Sequence, residues 1–462
     1  MDQDYDVDLA VIGSGGAAMA AGITARQAGA SVVLIERGTL GGTCVNVGCV
    51  PSKTLLAAAG TRHTALTNPF LGVQTSADVV DLAALVEQKG ELIGRLRQVK
   101  YADVAAAWGF DVVAGEARFR DEDTLEVDGR PLRARAYVVA TGSQPDVTAI
   151  AGIDEVDYLT STTAMEQQNL PESLVVIGGG YVGMEQAQLF AHLGTKVTVA
   201  GRLAPHAEPE LRDLMRGVFA DDCITVVEER ATSVGSTDGR VTATTKSGRQ
   251  VTGDRLLVAT GRRPHTDALD LKAAGVHVDE HGFVVVDQHQ QTTNPRVHAA
   301  GDVAGTPQYV YVAAASGRVA STNALAADGT PPRSVDYTGL PAVMFTRPQL
   351  ASAGLTEDEA LAQGYACSCR ILSLEDVPRA LVNRDTRGAL KLVADAATGK
   401  VLGVHAVAYG AGEIMLAATY AIKTGMTIDD IADTWAPYLT MAESLRIAAG
   451  LFRNELPTSC CA

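Results

Sequence analysis

Two pairs of cysteines stand where thiol chemistry is possible. Cys44 and Cys49 form a Cys-x-x-x-x-Cys spacing just after a glycine-rich stretch, and Cys460 and Cys461 are adjacent near the C-terminus. Two thiols at the first spacing can close a disulfide, and at the start of a helix the dipole favours thiolate over thiol. Thiolates cycle electrons as a dithiol/disulfide couple and bind soft metal ions. The adjacent pair differs. Neighbouring Cα atoms are about 3.8 Å apart, short of the roughly 4.4–6.8 Å of an ordinary disulfide, so two thiols are expected there. Pro457 discourages helix into this tail, which could swing to collect a soft ion and pass it inward by thiolate exchange. The plain alternatives are two small buried hydrophobes for the first pair and an idle tail for the second. Cys223, Cys367 and Cys369 read as packing residues; the last two lie two apart in a strand-like run and so on one face.

The elements that must position Cys44 and Cys49 are legible upstream. The run Asp8-Leu9-Ala10-Val11-Ile12 predicts a buried strand, followed by Gly13-Ser14-Gly15-Gly16-Ala17-Ala18 and an Ala-rich helix. In this G-x-G-x-x-A turn, Gly13 and Gly15 let the backbone approach a pyrophosphate, which meets the first amides of the helix. A second strand, Ser31 to Ile35, leads to Glu36, where a carboxylate accepts hydrogen bonds from ribose hydroxyls. The pattern recurs at Leu174-Val175-Val176-Ile177 with Gly178-Gly179-Gly180-Tyr181-Val182-Gly183 and a strand Lys196 to Ala200. The position equivalent to Glu36 is here Gly201, followed by Arg202. A guanidinium there suits a 2′-phosphate, although Arg202 is equally readable as a surface charge. One such turn alone is weak; two in strand-turn-helix context assign FAD to the acidic copy and NADPH to the copy bearing Arg202.

Composition removes several function classes. With 38 Lys and Arg against 54 Asp and Glu, the net charge is −16, and no basic stripe suits nucleic acid. Asp2, Asp4, Asp6 and Asp8 have the wrong sign for a secretory leader, and no apolar run approaches the roughly 18–20 residues of a membrane span. Seven cysteines are odd in number and too sparse for a secreted disulfide framework. A cytoplasmic protein without membrane insertion is expected.

The segment Gly41-Gly42-Thr43-Cys44-Val45-Asn46-Val47-Gly48-Cys49-Val50-Pro51-Ser52-Lys53 closely resembles the active-site segment of the pyridine nucleotide-disulfide oxidoreductases. Ala140-Thr141-Gly142, Ala259-Thr260-Gly261 and Ala299-Ala300-Gly301-Asp302 extend the likeness over nearly the whole chain. The resemblance implies an α/β fold with two Rossmann-like dinucleotide-binding domains and an α+β C-terminal dimerisation domain. It places the FAD domain at 1–150 and 271–335, the NADPH domain at 151–270, and the interface domain at 336–462. By the same carry-over Asp302 holds the FAD ribitol, and Ala18, Gly38, Thr43, Ala117 and Val310 line FAD. Gly42, Ala17, Thr141, Gly142 and Gly261 belong to these cofactor-binding motifs, as do Gly178, Gly180 and Gly183 on the NADPH side. Lys53 would sit near the flavin N5, paired with Glu185, unless it is an ordinary solvated lysine. Tyr181 either gates the nicotinamide pocket or packs. Cys49 would face the flavin as the charge-transfer thiolate, with Cys44 the more exposed partner.

Within the family the likeness is to members that reduce Hg(II) rather than a disulfide. Three features carry it: the tail Ser459-Cys460-Cys461-Ala462; Val377-Pro378-Arg379-Ala380-Leu381 with Asp385-Thr386-Arg387-Gly388; and Tyr438-Leu439-Thr440-Met441-Ala442-Glu443 in place of His-Pro-x-x-x-Glu. A disulfide reductase must protonate a leaving thiolate, which His does near neutral pH and a phenol of ordinary pKa near 10 does poorly. A metal ion needs no such proton, and Tyr438 could contact the metal. Expected metal ligands are therefore Cys44, Cys49, Cys460 and Cys461, taking Hg(II) as a thiolate complex. The resemblance further implies a homodimer in which the tail and Tyr438 serve the other subunit's site. No metal-binding domain precedes the first strand, so delivery from one is not expected. The alternative function is an NAD(P)H-dependent reductase of a low-molecular-weight disulfide. A protein that only sequesters soft metals would not need two dinucleotide folds. The role of Glu443 stays open.

Overall fold

The computed structural model of the chain describes residues 5–147 and 150–454. These fall into two compact units, residues 5–54 with Ala84–Asp146 and Gly261–Asp336, and Leu55–Ala83 with residues 147 and 150–260 and residues 337–454.

The first unit is built on a five-stranded parallel sheet. β1 (Val7–Ile12) enters the glycine turn and α1 (Gly16–Gln27), and β2 (Val32–Glu36) follows. The short α2 (Gly42–Asn46) comes next, followed by the 18-residue α3 (Cys49–Leu66), whose residues from Leu55 onward belong to the second unit. β3 (Asp111–Ala114) and β4 (Ala134–Val139) complete the run before the chain leaves the unit, and Val297–Ala299 adds the last strand on its return. The order across the sheet is Val297–Ala299, β4, β1, β2, β3. β1 is therefore central, paired in parallel through Val11↔Leu34 on one side and Val11↔Val138 on the other. A strand covered on both faces needs an unbroken apolar run, and Leu9 to Ile12 is almost wholly buried. The helix Val310–Ala324 packs along α1, where the Ala17 carbonyl lies so near Gly317 that a Cβ there would stand 2.2 Å from it. Small residues on both helices permit this contact.

The second unit repeats the parallel design. β5 (Ser173–Ile177), α4 (Tyr181–Leu193), β6 (Lys196–Ala200), α5 (Pro209–Asp221), β7 (Thr225–Val227) and β8 (Arg255–Val258) follow in order. Across the sheet the order is β7, β6, β5, β8 and the short strand Tyr158–Leu159. The unit also holds an antiparallel sheet of five strands: Pro341–Met344, Gln349–Gly354, Val401–Ala408, Ala389–Asp395 and Cys367–Ser373. Helices Ala411–Thr424 and Glu443–Gly450 add Ile414, Met415 and Ala448 to a core shared with Leu392 and Val404. Two parallel sheets of Rossmann type and one antiparallel α+β sheet are the fold class expected from the sequence.

Within this unit a buried ammonium fastens the antiparallel sheet to α5. Lys391 Nζ lies 2.9 Å from Glu208, 3.1 Å from Glu210 and 2.8 Å from Glu357, and both Lys391 and Glu208 are almost inaccessible. Burial works against the Lys391 charge, but hydrogen bonds to the three carboxylates outweigh it and hold the group above the ordinary lysine range. Removing the cation leaves Glu208 as an uncompensated buried charge, and losing one member of a buried pair costs about 3–5 kcal/mol. Lys391→Met is expected to lower the denaturant midpoint of the second unit by a corresponding amount, and a midpoint equal to wild type would contradict this account.

Candidate active site

The carboxyl end of β1 opens a cleft of about 340 Å³ in the first unit. Gly13 leaves the strand with φ of 113°, and a Cβ at this position would lie 2.4 Å from the Ala140 carbonyl, so only glycine fits. Gly15 is the extended N-cap of α1. Gly42 approaches it so closely that a Cβ on Gly42 would be 2.6 Å from the Gly15 Cα. Glu36 ends β2 and is held by both oxygens: Ser14 Oγ donates to Oε2 at 2.6 Å and the Gly38 amide donates to Oε1 at 2.7 Å. Gly13, Glu36, Gly42, Thr43, Ala117 and Thr141 all line the cleft. A narrow space with bare backbone at one end and a fixed carboxylate at the other fits the adenosine side of a dinucleotide.

Other expected positions surround this cleft. Ala18 is fully buried in α1, and Ala17 contacts the helix that begins at Val310. Thr141 Oγ1 donates to the His265 carbonyl at 2.7 Å, and the Gly142 carbonyl accepts from the His265 amide at 3.0 Å. Gly261 takes φ of 134°, and its carbonyl accepts from Asp146 N. Asp302 lies in the short 3₁₀ turn Gly301–Ala304, where Ser143 Oγ donates to Oδ2 at 2.7 Å. Arg262 Nε donates to the same Ser143 Oγ at 2.8 Å and stands 4.0 Å from Asp302. This Arg262–Ser143–Asp302 chain was not anticipated. Its signal was faint: a serine just past Ala140-Thr141-Gly142 and an arginine just past Ala259-Thr260-Gly261.

The cysteines sit on two helices rather than at the start of one. Cys44 is in the middle of α2, whereas Cys49 is the first residue of α3. Between them Asn46 pins the bend: its Nδ2 donates to the Leu40 and Gly42 carbonyls at 3.0 and 2.9 Å, and its Oδ1 accepts from Arg97 Nε at 2.9 Å. Pro51 falls in the first turn of α3, where an amide has no intrahelical partner to lose. The pair carries thiols, and their side chains hydrogen-bond to each other. That bond with Cys49, followed by burial, pushes the Cys44 thiol well above the ordinary thiol range. Both effects favour the protonated form of Cys44.

Cys49 is exposed and Cys44 half-buried, because Cys44 lies within α2 while Cys49 opens a helix toward Arg262 and Tyr311. Tyr101 also neighbours the pair; burial first, then the two sulfurs, push its phenol up to about 12. Lys53 is half-buried one turn into α3.

In the second unit, Gly178 repeats Gly13. Its φ is 112°, and a Cβ would stand 2.2 Å from the Ala259 carbonyl. Gly183 faces the Gly178 carbonyl within 2.0 Å of a built Cβ, whereas the space above Gly180 is open. Tyr181 is the half-buried first residue of α4, and Arg202 is exposed just beyond β6. Glu185 is buried, and its Oε1 accepts from the Phe345 amide at 2.8 Å. The open turn, followed by an exposed guanidinium and no carboxylate at Gly201, fits a phosphorylated pyridine nucleotide.

Tyr438 is half-exposed and precedes Leu439, which holds φ of 60°. Glu443 opens the helix Glu443–Gly450, is 4% exposed, and has one carboxylate oxygen without a hydrogen-bond partner among the described residues. Cys367 and Cys369 occupy one strand, and burial, followed by Glu357, pushes the Cys369 thiol up to about 12. Cys223 is exposed with φ of 58°. Cys460 and Cys461 lie outside the described residues.

No described helix is long and apolar enough to cross a membrane. The family model for pyridine nucleotide-disulphide oxidoreductases matches residues 7–317, and the model for that family's dimerisation domain matches residues 340–449. The mercuric reductase of Streptomyces lividans is 52% identical over 98% of this chain and 98% of its own length. That of Lysinibacillus sphaericus is 47% identical over 98% of this chain and 84% of its own. Among solved structures, the HOCl-induced flavoprotein disulfide reductase RclA from Escherichia coli superposes with a TM-score of 0.86 at 29% identity, covering 96% of this chain and 99% of that one. The chain belongs to the pyridine nucleotide-disulphide oxidoreductase family.

Proposed function

We propose that this chain is a flavoprotein reductase that uses NADPH to reduce Hg(II) to Hg(0), with Cys44 and Cys49 as the redox-active pair that grips the metal. The relatives of highest identity quoted above bear the name of that activity. The observation that carries a metal ion over a disulfide is Tyr438, which stands where disulfide reductases carry the His that protonates a leaving thiolate. FAD, when bound, supplies a two-electron relay between NADPH and the cysteine pair.

The residues divide the work. Gly13, Gly15, Gly42 and Glu36 hold the adenosine side of FAD, with Gly38, Thr43, Ala117, Thr141, Gly142 and Asp302 along its length; Ala17, Ala18, Val310 and Gly261 shape that site. Lys53 serves the flavin ring. Gly178, Gly180 and Gly183 admit the NADPH pyrophosphate, Arg202 meets its 2′-phosphate, and Tyr181 covers the nicotinamide site. Hg(II) arrives as a thiolate complex; Cys44 and Cys49 form two sulfur–metal bonds as the two bonds to the carrier sulfurs break, and the carrier sulfurs leave with the protons that the cysteines give up. Zero-valent mercury has little hold on sulfur and leaves once two electrons have reached it.

We assign the FAD domain to 1–150 and 271–335, the NADPH domain to 151–270 and the interface domain to 336–462. The working unit is a cytoplasmic homodimer in which Cys460, Cys461 and Tyr438 attend the partner's site. The terminal pair passes the metal to Cys44 and Cys49 by thiolate exchange.

The test is NADPH oxidation by the purified holoenzyme with Hg(II) buffered by excess small thiol, beside glutathione disulfide and lipoamide. Volatile mercury is expected, with turnover reduced at least about a hundredfold in Cys44→Ser and Cys49→Ser and lowered in the Cys460→Ala, Cys461→Ala double variant. Turnover with a disulfide alone would overturn the mercury assignment in favour of a disulfide reductase.

For the nucleotide, Arg202→Ala is expected to raise the KM for NADPH by about tenfold or more, as loss of a charged hydrogen bond implies, while leaving NADH unaffected. Equal effects on both nucleotides would remove Arg202 from the phosphate site.

A further inference from the structure

Cys367 and Cys369, which the chemistry of Cys44 and Cys49 leaves unused, make a second dithiol inside the second unit. They lie two apart in the strand Cys367–Ser373 and so share one of its faces. The register shows which face. Cys367 is opposite Asp395, Cys369 opposite Val393 and Ile371 opposite Lys391, whereas Leu372, Leu390, Leu392 and Ala394 point the other way into the core. The two cysteines therefore stand on the polar face that carries Lys391, and both are half-buried free thiols.

One residue meets both sulfurs. Glu357, the first residue of the helix Glu357–Ala362, accepts a hydrogen bond from the Cys369 thiol at its carboxylate, and its carbonyl is 4.0 Å from Cys367 Sγ. The Tyr365 carbonyl is also 4.0 Å from that sulfur. Glu357 is itself fixed, with its carboxylate 2.8 Å from Lys391 Nζ and its amide donating to Glu208 at 2.7 Å.

The spacing suits a bridging ion better than a disulfide. Residues two apart in a strand are about 6.8 Å apart with their Cβ atoms side by side, well beyond the roughly 3.5–4.5 Å between the Cβ atoms of a disulfide, so the pair stays a dithiol. Two metal–thiolate bonds of about 2.3 Å laid end to end span roughly 4.6 Å. Rotating the two side chains tips the sulfurs toward each other along the strand and closes that difference without moving the backbone.

The charges on this face select the kind of ion. Burial, then Glu357, raise both thiols, so each is a neutral S–H beside an acidic wall. Two thiols that give up their protons to a dication become a neutral bis-thiolate, and the charge of the face does not change. Lys391 then keeps Glu208, Glu210 and Glu357 as its partners. An oxygen-seeking cation would have to take those carboxylates from Lys391, whereas a soft ion needs only sulfur.

We propose that Cys367 and Cys369 bind one soft, two-coordinate cation such as Hg(II) as a bis-thiolate, at a site separate from the redox-active pair. The ion arrives on two small thiols. Cys367 and Cys369 each form one sulfur–metal bond as one carrier bond breaks, and the two carriers leave as thiols with the two protons. No electrons move, so binding at this pair is independent of whether Cys44 and Cys49 reduce the metal.

The test uses the FAD-loaded full chain with Cys44, Cys49, Cys223, Cys460 and Cys461 replaced by Ser, and no NADPH. Supplied with Hg(II) as its complex with two equivalents of a small monothiol and then desalted, it is expected to retain one ion per subunit. X-ray absorption is expected to find two sulfur neighbours. Cys367→Ser or Cys369→Ser in this background is expected to weaken retention at least tenfold, since one thiolate then binds no better than the carrier. In the otherwise native chain, the Cys367→Ser, Cys369→Ser double variant is expected to hold one ion fewer per subunit than wild type, which decides the matter if the five-serine background does not fold. No retention, two ions per subunit, or retention unchanged by either single replacement would each overturn the proposal, as would equal metal content in the native chain and its double variant.

Discussion

The contact on which the candidate active site depends is between two pieces of bare backbone. Gly42 lies so near Gly15 that no side chain could intervene, since even one Cβ on Gly42 would fall 2.6 Å from the Gly15 Cα. Gly15 caps the helix that follows β1, and Gly42 is the first residue of the helix that carries Cys44. A nucleotide-binding turn and a thiol segment are thereby fixed against each other by close packing, which is stiff to small displacement. Ser14 strengthens the joint, because its hydroxyl accepts from the Gly41 amide at 3.0 Å and donates to Glu36. A single serine therefore links the Glu36 carboxylate, the glycine turn and the approach to the cysteines.

The thiols gain their asymmetry from this placement. Cys44 is held within a short helix whose following bend Asn46 fixes, while Cys49 starts a new helix and so faces unpaired amides. The hydrogen bond to Cys49 and then burial both raise the Cys44 thiol.

Much of this was legible because the elements obey local rules. Leu9 to Ile12 and Leu174 to Ile177 are continuous apolar runs, as central parallel strands require, and glycine follows each where the chain must turn with positive φ. The Glu36 carboxylate was readable from its position at the end of the second strand. What escaped was long-range. Ser143, Arg262 and Asp302 come from three separate segments, and Asn46 with Arg97 joins positions that no periodicity relates.

The two glycine turns show how one backbone plan is made to discriminate. Gly13 and Gly178 adopt nearly the same φ, 113° and 112°, and each presses on an alanine carbonyl of the neighbouring strand's end. The difference begins at the end of the second strand. In the first copy Glu36 is tied to Ser14 and Gly38, leaving a preset acceptor for neutral hydroxyls. In the second copy the Arg202 carbonyl packs against Gly179, within 2.2 Å of where a Cβ would be, which holds that backbone in place and leaves the side chain exposed. On the assignment proposed above, Glu36 would repel an added phosphate and Arg202 would attract one, so the charge just past the second strand would sort the two nucleotides between the folds.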